Sequence, residues 1–216
     1  MSVIDDLDAR IRACRTCAER FSETVTAHRP NPVLTLSARA PVAIFSQAPG
    51  ARAHASTVPF DDPSGNRLRS WLGIGRAEFY DPRRLAILPM AFCFPGYDAK
   101  GSDLPPPRIC ARQWREEALA AMPQLSVRLL IGGYSQRWHL GAEGVRGGVT
   151  ETVRRWRDHP EGYFALPHPS WRNTAWLKRN PWFEEEILPE IRTRVHAAWE
   201  AAGLPPVPRD AMERPE

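Results

Sequence analysis

Apolar residues along this chain follow two rhythms. Four short runs are apolar at nearly every position: "PVAIFSQAPG", "RLAILPMAF", "VRLLIGG" and "GYFALPHPS". Short runs without polar alternation predict strands buried on both faces, the first from Val42 to Ser46 with a Pro-Gly turn after it. Elsewhere apolar residues recur every three or four positions, which predicts helices. Ile4, Leu7, Ile11 and Cys14 mark a helix from about Val3 to Cys17, and Leu68, Trp71 and Leu72 mark one capped by Ser64. Two more helical patterns run from about Ile109 to Ala121 and from Tyr134 to Leu140. The last, "NPWFEEEILPEIRTRVHAAWEAAG", carries Phe183, Ile187, Leu188, Ile191, Val195 and Trp199 on one face and stops at Gly203.

Strands alternating with helices predict an α/β fold, a parallel sheet with helices on both faces. The stretch from Phe21 to Ala40 is polar and irregular and reads as a long loop. With no internal repeat and no second domain, residues 1–203 form one domain and "LPPVPRDAMERPE", residues 204–216, a flexible tail. Ligands of open parallel sheets sit outside the carboxyl ends of the strands. Two strands run there into the least ordinary loops, "QAPGARAHASTVPFDDPSGN" and "PHPSWRN", so the site is expected between them.

At 216 residues the chain can bury a core without covalent staples. No amino-terminal run resembles a signal peptide, and no apolar stretch approaches the roughly 20 residues that span a bilayer, so a soluble, cytoplasmic protein is expected. The formal net charge is +4 and the basic residues are mostly arginine. Arginine suits bidentate phosphate recognition, though GC-rich coding produces the same excess. Proline is about twice as frequent as usual, which predicts many rigid loops.

Four cysteines in a reducing compartment point to metal binding or catalysis before disulfides. Cys14 and Cys17 form a C-x2-C pair that can aim two thiolates at one centre from a single turn. Cys93 and Cys110 bound a long Pro-rich loop, "CFPGYDAKGSDLPPPRIC", and would complete four-fold coordination if the fold brought them near. Four thiolates suit zinc or an iron–sulfur cluster, and spacing alone does not choose. Thioredoxin-like redox chemistry would need the pair after a strand, whereas here it follows a helix. Unrelated buried cysteines are the remaining alternative.

With "CRTC", "QAPG", "PFDDPSGNRL", "CFP", "PPPRIC" and "HPS" in this order, nearly the whole chain from Ile11 to Val195 resembles the uracil-DNA glycosylase superfamily, in its iron–sulfur branches. The resemblance implies a three-layer α/β/α sandwich with a central four-stranded parallel sheet. It also implies a structural [4Fe–4S] cluster on Cys14, Cys17, Cys93 and Cys110, with zinc as the alternative occupant. The partner it implies is DNA containing deaminated bases.

Breaking a deoxyribosyl N-glycosidic bond requires a flipped base, stabilised charge on sugar and base, and a placed water. The resemblance assigns His168 as donor to the departing base and Phe60 as the ring that stacks on it, and puts Trp171 and Arg172 where the family wedges into the duplex. Ser170 would take a phosphate, and Arg172, Lys178 and Arg179 beside aromatics suit contact to the DNA backbone. Backbone amides at Gln47 and Ala48 would meet the base carbonyl, with Pro49 and Gly50 allowing close approach. Gln47 stands where one branch carries a glutamate, and it cannot act as a base; Asp62 matches the aspartate of the other branch and would steady the sugar or orient water, with Asp61 as its substitute. A plain helix-terminal charge is the other role open to Asp62. Pro89 replaces the asparagine that reads uracil, which widens the expected bases to hypoxanthine and xanthine. Two rival functions stay open: a non-catalytic nucleic-acid binder on the same fold, and a zinc-stapled domain of unrelated function.

Overall fold

A computed structural model describes residues 2–208. The four apolar runs form β1 (Val42–Phe45), β2 (Leu85–Ile87), β3 (Val127–Ile131) and β4 (Tyr163–Leu166). They lie in the order β2-β1-β3-β4, and every pairing is parallel. Val42 pairs with Leu85 on one side and Val127 on the other.

Side chains alternate across each strand, so the sheet feeds two cores. Val42, Ile44, Leu85, Ile87, Leu129 and Ile131 face one; Ala43, Phe45, Ala86, Leu88 and Leu130 face the other. Both sets are fully buried, which is why the runs show no polar alternation.

Among the described residues ten α-helices supply the outer layers: α1 (Val3–Arg12), α2 (Ala18–Ser22), α3 (Ala51–Ser56), α4 (Pro63–Leu72), α5 (Arg76–Phe79), α6 (Arg108–Ala120), α7 (Gly132–Gly144), α8 (Gly148–Arg154), α9 (Thr174–Arg179) and α10 (Leu188–Ala201). Leu68, Trp71 and Leu72 of α4 meet Ile191, Val195 and Trp199 of α10 over one face, and Leu7, Ile11, Trp114 and Ala118 of α1 and α6 cover the other. The molecule is a three-layer α/β/α sandwich.

The irregular amino-terminal loop has a structural task. Thr35 and Ile87 exchange backbone hydrogen bonds of 2.9 and 2.8 Å, so the loop covers the exposed edge of β2. At the other end, Leu204 and Val207 pack on the core and Arg84 donates to the Pro205 carbonyl at 2.6 Å. The expected loose tail therefore starts as docked chain; its residues 209–216 lie outside the described residues. Among the described residues no helix is long and apolar enough to cross a membrane.

Two helix starts and stops differ from expectation. The first helix ends at Arg12 instead of Cys17, because the "CRTC" segment turns there and α2 begins afresh at Ala18. The cap of α4 is Asp62, not Ser64, since Pro63 occupies the first helical position, where its missing N–H costs nothing.

Candidate active site

All four strands end on the same rim, and the segments leaving β1, β2 and β4 enclose a cavity of about 260 Å³. Ala48, Pro49 and Gly50 enter from β1, Pro89 from beyond β2, and His168, Ser170, Trp171 and Arg172 from beyond β4. Phe60 and Asp62 come from the segment before α4. A Cβ on Gly50 would meet no atom within 4 Å, so its backbone borders open space.

Phe60 holds a left-handed backbone, φ 57°. For a bulky aromatic this conformation is strained, and it persists only where the surroundings fix it. They do: Tyr80 Oη donates to Pro59 O at 3.0 Å, and Phe79 meets the Phe60 ring edge-on at 6.0 Å. The Phe60 carbonyl lies against Gly65, where an added Cβ would stand 1.8 Å from its oxygen. Two residues on, Asp62 Oδ1 accepts from Gly65 N at 2.9 Å as the cap of α4. Asp61 turns elsewhere and pairs with Arg76 at 3.3 Å.

His168 follows the end of β4. Its carbonyl accepts from Asn173 Nδ2 at 2.7 Å, and its Nδ1 accepts from Ser170 N at 3.2 Å. With Nδ1 an acceptor, the ring proton of neutral His168 is assigned to Nε2. Burial lowers the His168 pKa below the ordinary histidine value, against a smaller opposing pull from Asp62. The loop after it is fixed by Arg67, which donates to Ser170 O at 2.9 Å and Thr174 Oγ1 at 3.2 Å. Gln136 ties the strand ends together, donating to Leu166 O at 2.9 Å and Leu130 O at 3.3 Å.

Of the site residues expected from sequence, Ala48, Phe60, Asp62, His168, Ser170 and Arg172 thus share one cavity. Gln47 does not. Successive side chains of extended chain point to opposite sides, so Ser46 and Ala48 face the cavity and Gln47 lines the groove next to it. Backbone bonds from Met90 N to Ser46 O (2.8 Å) and Ala91 N to Gln47 O (3.1 Å) hold that register.

Three contributors escaped the sequence reading. Arg67 sits inside "PSGNRL" as one more helical arginine, and nothing in its spacing marks it. Tyr97 and Asp103, from the Pro-rich loop, also line the cavity. Shielding from water raises the Asp103 pKa, helped by the nearby charge of Asp62 and opposed by Arg172. Asp98 is spent locally, accepting from Lys100 N and Ser102 N to shape the loop.

Residues 34–192 match the family model of the uracil DNA glycosylase superfamily. The chain belongs to that superfamily. The match spans β1 through the start of α10 and therefore every residue of the cavity.

Cys93 and Cys110 fall inside the matched span of this superfamily domain, and Cys14 and Cys17 precede it. All four are unpaired and line a single small cavity with mostly apolar neighbours, among them Ile11, Phe21, Phe92 and Trp114, and with Thr16 and Gln113. Burial, with the neighbouring cysteines, pushes the Cys93 thiol up to about 12; burial likewise puts Cys110 at about 11. Phe92 N–H nevertheless points at Cys110 Sγ, 3.3 Å away. Among the described residues no three His, Cys, Asp or Glu side chains close around a single ion. Four soft sulfur donors round one cavity, one of them met by a backbone N–H, are the donor type that zinc or an iron–sulfur centre takes.

Proposed function

We propose that the protein is a DNA repair glycosylase that hydrolyses the N-glycosidic bond of uracil in DNA, acting as a monomer on a base flipped into the 260 Å³ cavity. The observation that carries this reading is the hydrogen bond from Ser170 N to His168 Nδ1, which leaves Nε2–H of a neutral imidazole as the donor beside Phe60 and Asp62.

In this mechanism Phe60 stacks on the extracted base. As the bond between C1′ and the base nitrogen breaks, its electron pair moves to the base and negative charge gathers on a carbonyl oxygen. Nε2–H of His168 donates to that oxygen, an oxyanion-type stabilisation. The Asp62 carboxylate steadies the positive sugar and orients the water. Water oxygen bonds to C1′, its proton leaves to solvent, and the base departs as an anion. Ser170 and Arg172 hold the backbone phosphate, with Arg67 fixing their loop. Pro89 offers no side-chain hydrogen bond at the cavity wall, so hypoxanthine and xanthine are substrates beside uracil.

Cys14, Cys17, Cys93 and Cys110 would hold a [4Fe–4S] cluster whose contribution is structural, tying the Pro-rich loop to the amino-terminal segment. Protein purified without oxygen should then be brown and carry four iron and four sulfide per chain. A colourless, zinc-loaded protein refutes the cluster.

Release of free base from uracil, hypoxanthine and xanthine oligonucleotides tests the activity. His168→Ala should lower the single-turnover rate about 100- to 1,000-fold. A wild-type protein that binds DNA but releases none of these bases overturns the reading in favour of a non-catalytic binder.

A further inference from the structure

The sheet order places β1 beside β3, yet the chain leaves β1 toward β2 on one side and leaves β3 toward β4 on the other. Such a reversal opens a crevice at the carboxyl ends of the strands. Here the crevice is a groove of about 620 Å³, more than twice the 260 Å³ of the base cavity. Gln47 of the loop after β1 lies on its floor, and α6 and α7 form its walls.

Four-residue spacing puts Arg108 and Arg112 on one side of α6, and Tyr134 and Trp138 on one side of α7, with Arg137 beside them. All five are exposed, Tyr134 at 44% and Trp138 at 42%. Large aromatics left in water beside cations call for a partner. No carboxylate lines the groove, and among the described residues none of the three guanidinium groups pairs with one, unlike Arg10, Arg12, Arg83 and Arg194. The partner is therefore anionic.

Arginines beside exposed aromatic faces match a strand of unpaired nucleotides, whose phosphates take the cations while its bases stack on the rings. A duplex keeps its base faces covered. The groove also adjoins the base cavity: Gln47 and Met90 line the one, Ala48 and Pro89 the other. We propose that the α6–α7 groove binds single-stranded DNA, the unpaired stretch running on from the flipped base. The proposal rests on the glycosylase reading for its biological setting; its test stands without base release.

Fluorescence anisotropy with labelled oligothymidine, which contains no excisable base, reads the groove alone. Tyr134→Ala/Trp138→Ala should weaken binding about 5- to 150-fold for each base that loses its platform. Arg108→Ala/Arg112→Ala/Arg137→Ala should flatten the slope of log K against log salt by about 2. Binding of a duplex of equal length should stay unchanged, and so should thermal melting, because all five side chains are exposed. Unchanged oligothymidine affinity in the aromatic variant overturns the proposal. So does equal weakening on duplex, which would make the groove a duplex contact. Failure of wild type to release any base strikes the glycosylase reading and leaves the anisotropy result standing.

Discussion

Asp62 shows how one residue serves structure and chemistry from different atoms. Oδ1 is committed to capping α4, while the side chain also lines the cavity with His168. Asparagine preserves a cap oxygen but not the charge, and alanine removes both. Asp62→Asn should therefore melt like wild type yet lose at least about tenfold in base release. Asp62→Ala should lose the same rate and about 1 kcal/mol of stability. Equal rates for Asp62→Asn and wild type would reduce Asp62 to a cap. His168 gives a pH counterpart. Its folded pKa is depressed by burial, so the neutral donor survives as pH falls through the ordinary histidine range. Single-turnover rates should hold steady below about pH 6.5 and decline only further toward acid; a decline centred on the ordinary histidine value would place His168 in open solvent.

At the scale of elements, the passage from Phe60 into α4 is built around a missing side chain. Alanine at Gly65 would put a carbon 1.8 Å from Phe60 O, and the backbone there cannot yield without undoing the Asp62 cap. Gly65→Ala should cost at least about 2 kcal/mol in denaturant unfolding and, by displacing the Phe60 ring, lower kcat/KM as well. The strands were legible because burial on both faces writes an unbroken apolar run, and α6 and α10 because their stripes are long. The cap of α4 was misread by two residues because the proline signal outweighs the serine. Phe60, Asp62 and His168 stood out through their motif neighbourhoods. That the Gln47 side chain lines the neighbouring groove was not legible, because a motif does not reveal to which side of extended chain a side chain points. Arg67 and Asp103 stayed hidden because their roles come from contacts about 100 residues away, as in the bond from Arg67 to Ser170, or from the path of a loop without periodicity.

For the molecule as a whole, a buried histidine on the Phe45 side of the sheet limits tolerance of acid. His139 of α7 lies against Phe45 with ring centroids 4.3 Å apart and the rings tilted by 44°, its Nε2 is buried without a partner among the described residues, and burial next to Arg115 and Arg128 lowers its pKa to about 3. The unfolded chain takes up this proton near pH 6.5 and the folded one only near 3, so the stability at stake is intact above 6.5 and drains away as pH falls between the two values. At pH 4 the loss from this residue is about 3 kcal/mol. His139→Phe keeps the ring contact and removes the proton site; its melting temperature should fall less between pH 7 and 4 than that of wild type. Identical slopes would show that His139 reaches water.

The pairing of Val42 with Val127 sets a condition on how this protein is made. No two neighbouring strands are joined by a hairpin, and the central pair joins positions 85 residues apart. A ribosome must complete two helical crossovers before the middle of the sheet can zip, and until then β1 lacks its partner on the β3 side. Non-local pairing of this kind slows folding toward the millisecond-to-second range. Soluble yield should rise when synthesis is slowed or cooled, because the nascent chain then has time to bring its third strand to its first.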